Sequence, residues 1–187
     1  MQTGTCGKNL IWTFDDGTLT ICGEGAMENF SNDKKAPWDK FKFNAIKKII
    51  VEDGATSIGD EAFSRCFLLT CVVISNSVIN FGDGAFSCCF DLIGIKIPNK
   101  VQIIGSRAFQ RCIKLQSMEI PASVKKIGYW TFEGCSGLTK IKIPANVTGI
   151  GWQIFEGCTN LEKIFYKPGF GFEETLSQGN DAELIPY

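Results

Sequence analysis

A repeat of 23 residues runs through the middle of the chain and constrains its fold more than any other feature. Each copy carries a phenylalanine followed three residues later by a cysteine; the pairs are Phe63 and Cys66, Phe86 and Cys89, Phe109 and Cys112, Phe132 and Cys135, and Phe155 and Cys158. A fixed period in the range of roughly 20–29 residues with recurring Leu and Ile is typical of a solenoid, whose coils bury their apolar faces against their neighbours. The copies, 51–73, 74–96, 97–119, 120–142 and 143–165, align without insertion or deletion. We therefore expect coils that stack in register.

Each copy contains the pattern of one short strand. In the segment Leu115-x-x-Met118-x-Ile120, apolar and polar residues alternate as they do in a half-buried strand. Prolines follow directly after the last apolar residue in three copies, at Pro98, Pro121 and Pro144. Because proline has no N–H to donate, it ends the strand there.

The stretch before the cysteine predicts a turn of helix. In the third copy, 106–112 would form one turn of α-helix or 3₁₀ helix that points Ala108, Phe109 and Cys112 inward. One glycine column precedes this stretch in every copy, at Gly59, Gly82, Gly105, Gly128 and Gly151. That column predicts either a positive backbone angle or a close approach between coils.

The nine cysteines are read mainly as buried thiols. Five of them occupy one repeated column, where free cysteine acts as a small apolar residue. Side chains stacked in register point the wrong way for a relaxed disulfide. Cys6, Cys22, Cys71 and Cys88 lie outside this column. With no histidine and no C-x-x-C motif, the usual zinc patterns are absent, and we expect neither metal nor cofactor.

Both ends of such a stack need covers, because an open coil exposes apolar surface and an unpaired strand edge. Residues 9–14 and 18–22 flank Asp15-Asp16-Gly17, a hairpin signal, and an aromatic-rich segment at 36–41 would begin a helix that plugs the first coil. We therefore divide the chain into an N-terminal cap at 1–50, five repeats at 51–165 and a C-terminal cap at 166–187, together one continuous domain.

The repeat pattern I-P-x-x-V-x-x-I-G-x-x-A-F-x-x-C-x-x-L-x-x-I-x resembles the BspA-like class of leucine-rich repeats. The residues that carry the resemblance in the third copy are Ile97, Pro98, Val101, Ile104, Gly105, Ala108, Phe109, Cys112, Leu115 and Met118. The resemblance implies an exported protein that binds extracellular macromolecules and offers no catalytic residues. The predicted fold is an α/β solenoid: a right-handed leucine-rich repeat with one short parallel strand and a short helix or 3₁₀ turn per coil, and an N-terminal β-hairpin cap.

Charge and residue types disfavour several functions. Nineteen basic residues nearly balance twenty acidic ones, and basic and aromatic residues do not interleave, so nucleic acid is a poor ligand. No apolar run reaches the roughly 20 residues needed to cross a bilayer, so we expect no membrane insertion by this segment. Without histidine the Ser-His-Asp and Cys-His arrangements are impossible, and no phosphate-binding loop is present, so we do not expect an enzyme.

Two surfaces are candidates for binding a partner. On the predicted concave face, outward strand positions place Lys96, Glu119, Lys140, Lys142 and Lys163, a mainly basic set suited to a carboxylate, a sulfated glycan or an acidic protein patch. The alternative is that these lysines only protect strands from aggregation. On the outer surface, the large apolar residues Phe67, Phe90, Ile113, Tyr129, Trp130 and Trp152 would either bind a partner or fold back to seal gaps between coils.

The sequence therefore predicts a non-enzymatic, secreted or cell-surface module that binds or adheres to a host or extracellular protein or glycan, with a monomer favoured. Its export signal is expected to be absent from the sequence in hand. The alternative is a structural spacer that displays other domains of a larger surface protein. The sequence does not separate these two functions.

Overall fold

The computed structural model describes residues 1–169 and 171–187. Strands account for most of their regular structure, and the helices are short. The strands are β1 (Gln2–Thr5), β2 (Asn9–Asp15), β3 (Thr18–Ala26), β4 (Lys48–Val51), β5 (Ala55–Ile58), β6 (Cys71–Ile74), β7 (Asn80–Phe81), β8 (Ile103–Ile104), β9 (Lys126–Ile127), β10 (Lys140–Lys142), β11 (Gly149–Ile150), β12 (Lys163–Tyr166) and β13 (Glu183–Pro186). A 3₁₀ helix spans Asp39–Phe41, and α1 spans Glu173–Ser177.

The chain begins with three antiparallel strands. β1 pairs with β2, and β2 pairs with β3. Asp16 and Gly17 turn the chain between β2 and β3 with φ of 41° and 77°. Two positive φ angles are typical of the hairpin turn that matches strand twist. β3 then pairs in parallel with both β4 and β5, so it starts the two ladders that follow.

The coils stack through two parallel ladders. The first ladder consists of two stretches that belong to separate sheets. In the first stretch, β4 pairs with β6. In the second, single bridges join Lys96 to Glu119 and Glu119 to Lys142 of β10, and β10, β12 and β13 then pair in turn. The second ladder runs through β5, β7, β8, β9 and β11. In the second ladder, Asn80 pairs with Ile103 and Ile103 with Lys126, each one repeat further along. The predicted stacking in register is confirmed. The prediction of one strand per coil is wrong, because the coils also pair through the second ladder.

The third side of each coil is made of turns, and the helix predicted there is wrong. Residues 106–111 form consecutive turns, and Arg107 and Arg111 have φ of 56° and 57°, which no helix contains. The amides of Arg107, Phe109 and Arg111 donate to carbonyls of the next coil, whereas those between them donate within the turn. This alternation makes the side, which we call the turn wall, a hydrogen-bonded face. Its segments are 60–69, 83–92, 106–115, 129–138 and 152–161.

The repeated phenylalanines form a dry column through the core. All five are fully buried, and consecutive ring centres from Phe63 to Phe155 lie 5.4, 5.5, 5.8 and 5.6 Å apart. Trp38 extends the column, because its ring centre lies 5.7 Å from that of Phe63 and its indole N–H donates to the Ala62 carbonyl at 2.8 Å. The segment that precedes the repeats therefore closes the first coil with an aromatic ring.

The cysteine column lies beside the phenylalanines, and its thiols are free and buried as predicted. Each thiol from Cys89 onward donates to the carbonyl of a phenylalanine in the preceding coil, as Cys135 does to Phe109 at 3.1 Å. Burial raises the pKa of Cys66, Cys112 and Cys158 to about 12. These thiols stay neutral and pack the core.

The glycine column reflects a close approach between coils. None of its five members has a positive φ, so that alternative is wrong. A Cβ on Gly105 would lie 2.6 Å from the carbonyl carbon of Gly82 in the preceding coil. Since Cβ atoms do not come that close to backbone, any side chain here would push the coils apart.

Candidate binding surfaces

The strand residues predicted to bind a partner share one surface. Lys96, Glu119 and Lys142 are successive partners across the first ladder, and Lys140 pairs in register with Lys163. All five side chains are exposed. We call this set the first-ladder face.

C-terminal residues lie beside two lysines of the first-ladder face. β13 pairs with β12 and places Glu183 beside Lys163. The Lys142 ammonium lies 4.1 Å from the ring centre of Tyr187, whose hydroxyl donates to the Ile143 carbonyl at 2.8 Å. Lys163 therefore lies between Lys140 on one neighbouring strand and Glu183 on the other.

Three of the outer apolar residues lie in one row of the turn wall. Phe67 and Phe90 are half-buried and stack with ring centres 4.8 Å apart and planes 1° apart. Phe43, not singled out in the sequence, continues the row at 5.3 Å from Phe67, and Ile113 follows Phe90 one repeat further along. Phe67 and Phe90 therefore cover each other, whereas Phe43 and Ile113 remain 47% and 43% exposed.

The other three lie at the start of the turn wall. Trp130 is half-buried, and the Arg107 guanidinium lies 4.6 Å from its ring centre. Tyr129 and Trp152, one repeat apart, are 50% and 66% exposed. A cleft of about 320 Å³ runs between Tyr129 and the second ladder, where Ile103 is 41% exposed.

A groove across the first three segments of the turn wall was not predicted from the sequence. Its volume is about 530 Å³, and its lining includes Ser64, Ser87 and Ser106 together with Arg65, Arg107 and Arg111. These are the three arginines of the whole chain. We call it the arginine groove. One feature of the sequence could have indicated this groove: Arg65 and Arg111 lie in the same repeat column, two copies apart.

The backbone conformation of the turn wall places the arginines on the surface. Two columns in each coil have positive φ: 61, 84, 107, 130 and 153 form the first, and 65, 88, 111, 134 and 157 the second. All three arginines belong to these columns. Their side chains are exposed at positions where the backbone has a positive φ.

Lys42 is a buried cation that sequence reasoning also missed. Its ammonium donates to the Glu61 carbonyl at 3.1 Å and lies 3.6 Å from a carboxylate oxygen of Asp39. Burial lowers the pKa of Lys42, while the nearby acidic groups act in the opposite direction. The contacts tie the segment before the repeats to the first coil, which is a structural role.

The described part of the chain holds neither a cluster of metal-ligating side chains nor a helix suited to span a membrane. Over 1–169 and 171–187, no three His, Cys, Asp or Glu side chains are grouped so that they could hold a metal ion. Nor does any helix within those ranges have the length and apolar character needed to span a bilayer.

Two parallel ladders, a turn wall and a buried aromatic column define a β-solenoid of leucine-rich coils. Residues 34–162 match the BspA type leucine rich repeat region in six copies, one more than the five counted in the sequence. The chain belongs to the BspA type leucine-rich repeat family. No curated protein matches it.

Solved structures of bacterial leucine-rich repeat proteins resemble this one. A protein from Eubacterium ventriosum is 30% identical with a TM-score of 0.77, and the match covers 90% of this chain and 45% of that one. A protein from Bacteroides ovatus is 31% identical with a TM-score of 0.54, covering 74% and 43%. The chain thus spans less than half the length of these two. The leucine-rich repeat protein of T. pallidum shares the fold at 22% identity and a TM-score of 0.59, covering 100% and 96%.

Proposed function

We propose that this chain is a non-enzymatic binding module of a secreted or cell-surface protein and that it recognises a protein partner. The observation that carries the proposal is the exposure of two large aromatic side chains, Tyr129 at 50% and Trp152 at 66%. The core is complete without them. Tryptophan and tyrosine are enriched among the residues that contribute most to protein interfaces.

The surroundings of these residues suit a protein surface. Tyr129 and Trp152 project from neighbouring coils, and the cleft beside Tyr129 ends at the exposed Ile103. Lys126 also borders that cleft and adds a charged rim. An apolar centre with a polar edge is the usual arrangement of a specific interface. We name Tyr129, Trp152 and Ile103 the aromatic edge.

Two features of the side-chain chemistry support a binding role. The sequence has no histidine, and the thiols of the cysteine column are neutral and buried. Family membership supports a location outside the cell, as the sequence resemblance implies. The first-ladder face, with Lys96, Glu119, Lys140, Lys142 and Lys163, would contribute electrostatic steering to the encounter.

An array of extracellular-matrix and serum proteins, probed with the purified chain, tests the proposal. For any protein bound, the double variant Tyr129→Ser and Trp152→Ser should weaken affinity by about 30-fold or more, the effect of losing an interface anchor. Ile11→Ser is the matched control, because Ile11 is 47% exposed on β2, away from the repeats. Equal binding by wild type and the double variant would remove the aromatic edge from the proposal.

The second candidate is a spacer that holds other domains apart. The unbroken register of the second ladder favours it, because such a stack is a regular rod segment whatever it binds. A spacer would give no signal on the protein array. In that case the surface substitutions would change neither binding nor stability.

A further inference from the structure

We propose that the arginine groove binds an acidic oligosaccharide, one whose sugar units carry carboxylates. This site lies on the turn wall, apart from the aromatic edge, so the inference goes beyond protein recognition and does not rest on it. It starts from the placement of every arginine of the chain around one cavity of about 530 Å³.

The arginines are free to receive a ligand. Within residues 1–169 and 171–187, none of the three forms an ion pair with a carboxylate or a side-chain hydrogen bond. Arg65 and Arg111 lie two coils apart, which is about 10 Å at the usual spacing of neighbouring strands. A guanidinium presents a planar fork of donors that matches a carboxylate with two hydrogen bonds.

Two of the groove's features are held in place before any ligand arrives. Arg107 stacks over Trp130, and the Trp130 indole N–H donates to the Gln153 side chain at 3.0 Å. On the floor, the Ser87 hydroxyl donates to Gln110 at 3.5 Å, and Gln110 in turn donates to Glu133. Preorganised side chains lose less freedom when a ligand binds.

The backbone of the groove excludes strand pairing with a peptide. The amides that alternate along each wall already donate to the next coil, as Phe86 does to Ala108 and Cys88 to Gln110. A peptide therefore finds no free ladder edge, and recognition must come from side chains. The apolar lining is limited, with Phe30 at one end as its large apolar residue.

The charge balance of the groove favours a sugar over a dense polyanion. Three carboxylates, Asp60, Glu61 and Asp83, line it together with the three arginines. Asp60 and Asp83 each accept one backbone N–H from the following coil, which leaves their other oxygen available to a hydroxyl donor. A ligand with both carboxylates and hydroxyls can bind the arginines through its carboxylates and the acidic side chains through its hydroxyls. A fully sulfated chain or a nucleic acid meets repulsion.

Binding is measured by calorimetry with the intact chain. The probes are a hexameric oligogalacturonate and a trimer of sialic acid, with the methyl ester of the hexamer as the uncharged match. At least one acidic probe should bind, and its ester should bind at least about tenfold more weakly, because hydrogen bonds to charged groups are lost. Failure of both acidic probes overturns the proposal. So does equal or tighter binding of hexaglutamate, or of a heparin hexamer, which would indicate an acidic peptide or a general anion site.

Variants locate the site. Arg107→Gln and Arg111→Gln should each weaken binding about tenfold or more, and Arg111→Lys should also weaken it, since lysine lacks the fork. Lys100→Gln is the matched control, an exposed cation of the same coil outside the groove. If Lys100→Gln weakens binding as much as Arg111→Gln, the effect is general charge and the proposal fails. Because the arginines are exposed, thermal melts should show all four variants folded.

The chain provides its own occupancy probe. Cys88 lines the groove, whereas Cys71 is exposed on β6 outside it. A bound acidic oligosaccharide should slow alkylation of Cys88 by N-ethylmaleimide and leave that of Cys71 unchanged, as followed by peptide mass spectrometry. Binding with unchanged alkylation of Cys88 would place the ligand elsewhere and overturn the assignment. Neither result bears on the aromatic edge, so the two proposals fail separately.

Discussion

The thiol of Cys112 donates a hydrogen bond to the carbonyl of Phe86 in the preceding coil, over a distance of 3.2 Å. Both side chains are fully buried, so one contact links the two inner columns of the stack. The same link recurs between Cys89 and Phe63 at 3.3 Å. Cysteine thus fills a small space and satisfies a carbonyl without introducing charge.

Buried thiols predict a loss of stability at alkaline pH. Burial raises the pKa of Cys112 from its ordinary value of 9.0 to about 12, and those of Cys66 and Cys158 likewise. Below pH 9 the thiols are protonated in both the folded and the unfolded state, so their contribution to the free energy of unfolding is fully present. Between about 9 and 12 only the unfolded state releases these protons, so the free energy of unfolding should fall by about 1.4 kcal/mol per pH unit for each thiol. Urea unfolding at pH 8, 9.5 and 10.5 measures this slope.

The matched variant for this prediction is Cys112→Ala. This variant removes one titrating thiol and leaves the lysines and tyrosines in place. The free energy of unfolding should therefore fall less steeply with pH than in the wild type, by the contribution of one thiol. Identical slopes for variant and wild type would mean that Cys112 is not buried as a thiol.

Removing a ring from the aromatic column should be costly. Phe109→Ala leaves a cavity between Phe86 and Phe132, whose ring centres lie 5.5 and 5.8 Å from that of Phe109. The expected loss is about 3–5 kcal/mol, measured by denaturant unfolding. Phe43→Ala, at a ring that is 47% exposed, serves as the control and should cost much less. An unchanged melting temperature for Phe109→Ala would refute the buried position.

A single methyl group in the glycine column should separate two coils. Gly105→Ala places a Cβ 2.6 Å from the Gly82 carbonyl group, and overpacking of this kind costs about 1–3 kcal/mol. Gly94→Ala is the control, because Gly94 is exposed and its Cβ would meet only the Ser117 carbonyl oxygen at 3.7 Å. Thermal unfolding compares the two. Equal stability of both variants would contradict the close approach.

The positive φ of Arg65, 63°, predicts that glycine is the better residue at this position. Gly134 and Gly157 occupy the same column with φ of 69° and 70°. Arg65→Gly should be more stable than Arg65→Ala by about 1 kcal/mol, because only alanine pays for a Cβ in the left-handed region. Both variants remove the same exposed side chain, so the comparison isolates the backbone. Chemical denaturation measures the difference in stability between the two variants. Equal stability would contradict the prediction and would mean that the backbone at this position can leave the left-handed region.

The period of the sequence was enough to predict the core. Phe109 and Cys112 recur at one offset, and a residue that recurs at one offset in a stack must meet its own copies. The glycine column followed from the same reasoning, although it permitted two physical explanations. The five-copy division at 51–165 and both caps stay predictions, and the family match counts one more copy.

The turn wall could not be predicted from residue types. Seven of its ten positive-φ positions hold residues other than glycine, among them Glu61, Trp130 and Gln153. Such residues favour helix over the left-handed region, and the local sequence therefore indicated a helical turn. Hydrogen bonds to the next coil, such as Phe132 to Ile154, outweigh that preference.

The candidate sites were predictable only in part. Alternation along a strand placed Lys140 and Lys163 on one face, because strand geometry is regular. The shape of the arginine groove depends on how three segments of the turn wall lie beside each other. No single segment of sequence contains that information.

The constant offset of the inter-coil bonds bears on how such a chain can evolve. Phe63, Phe86 and Phe109 each donate their amide to a carbonyl 22 positions later. Duplicating or deleting one whole 23-residue block in the gene would recreate every one of these bonds at the new junction. Chains of this kind can thus change length by recombination and acquire new surface residues while the interior stays the same.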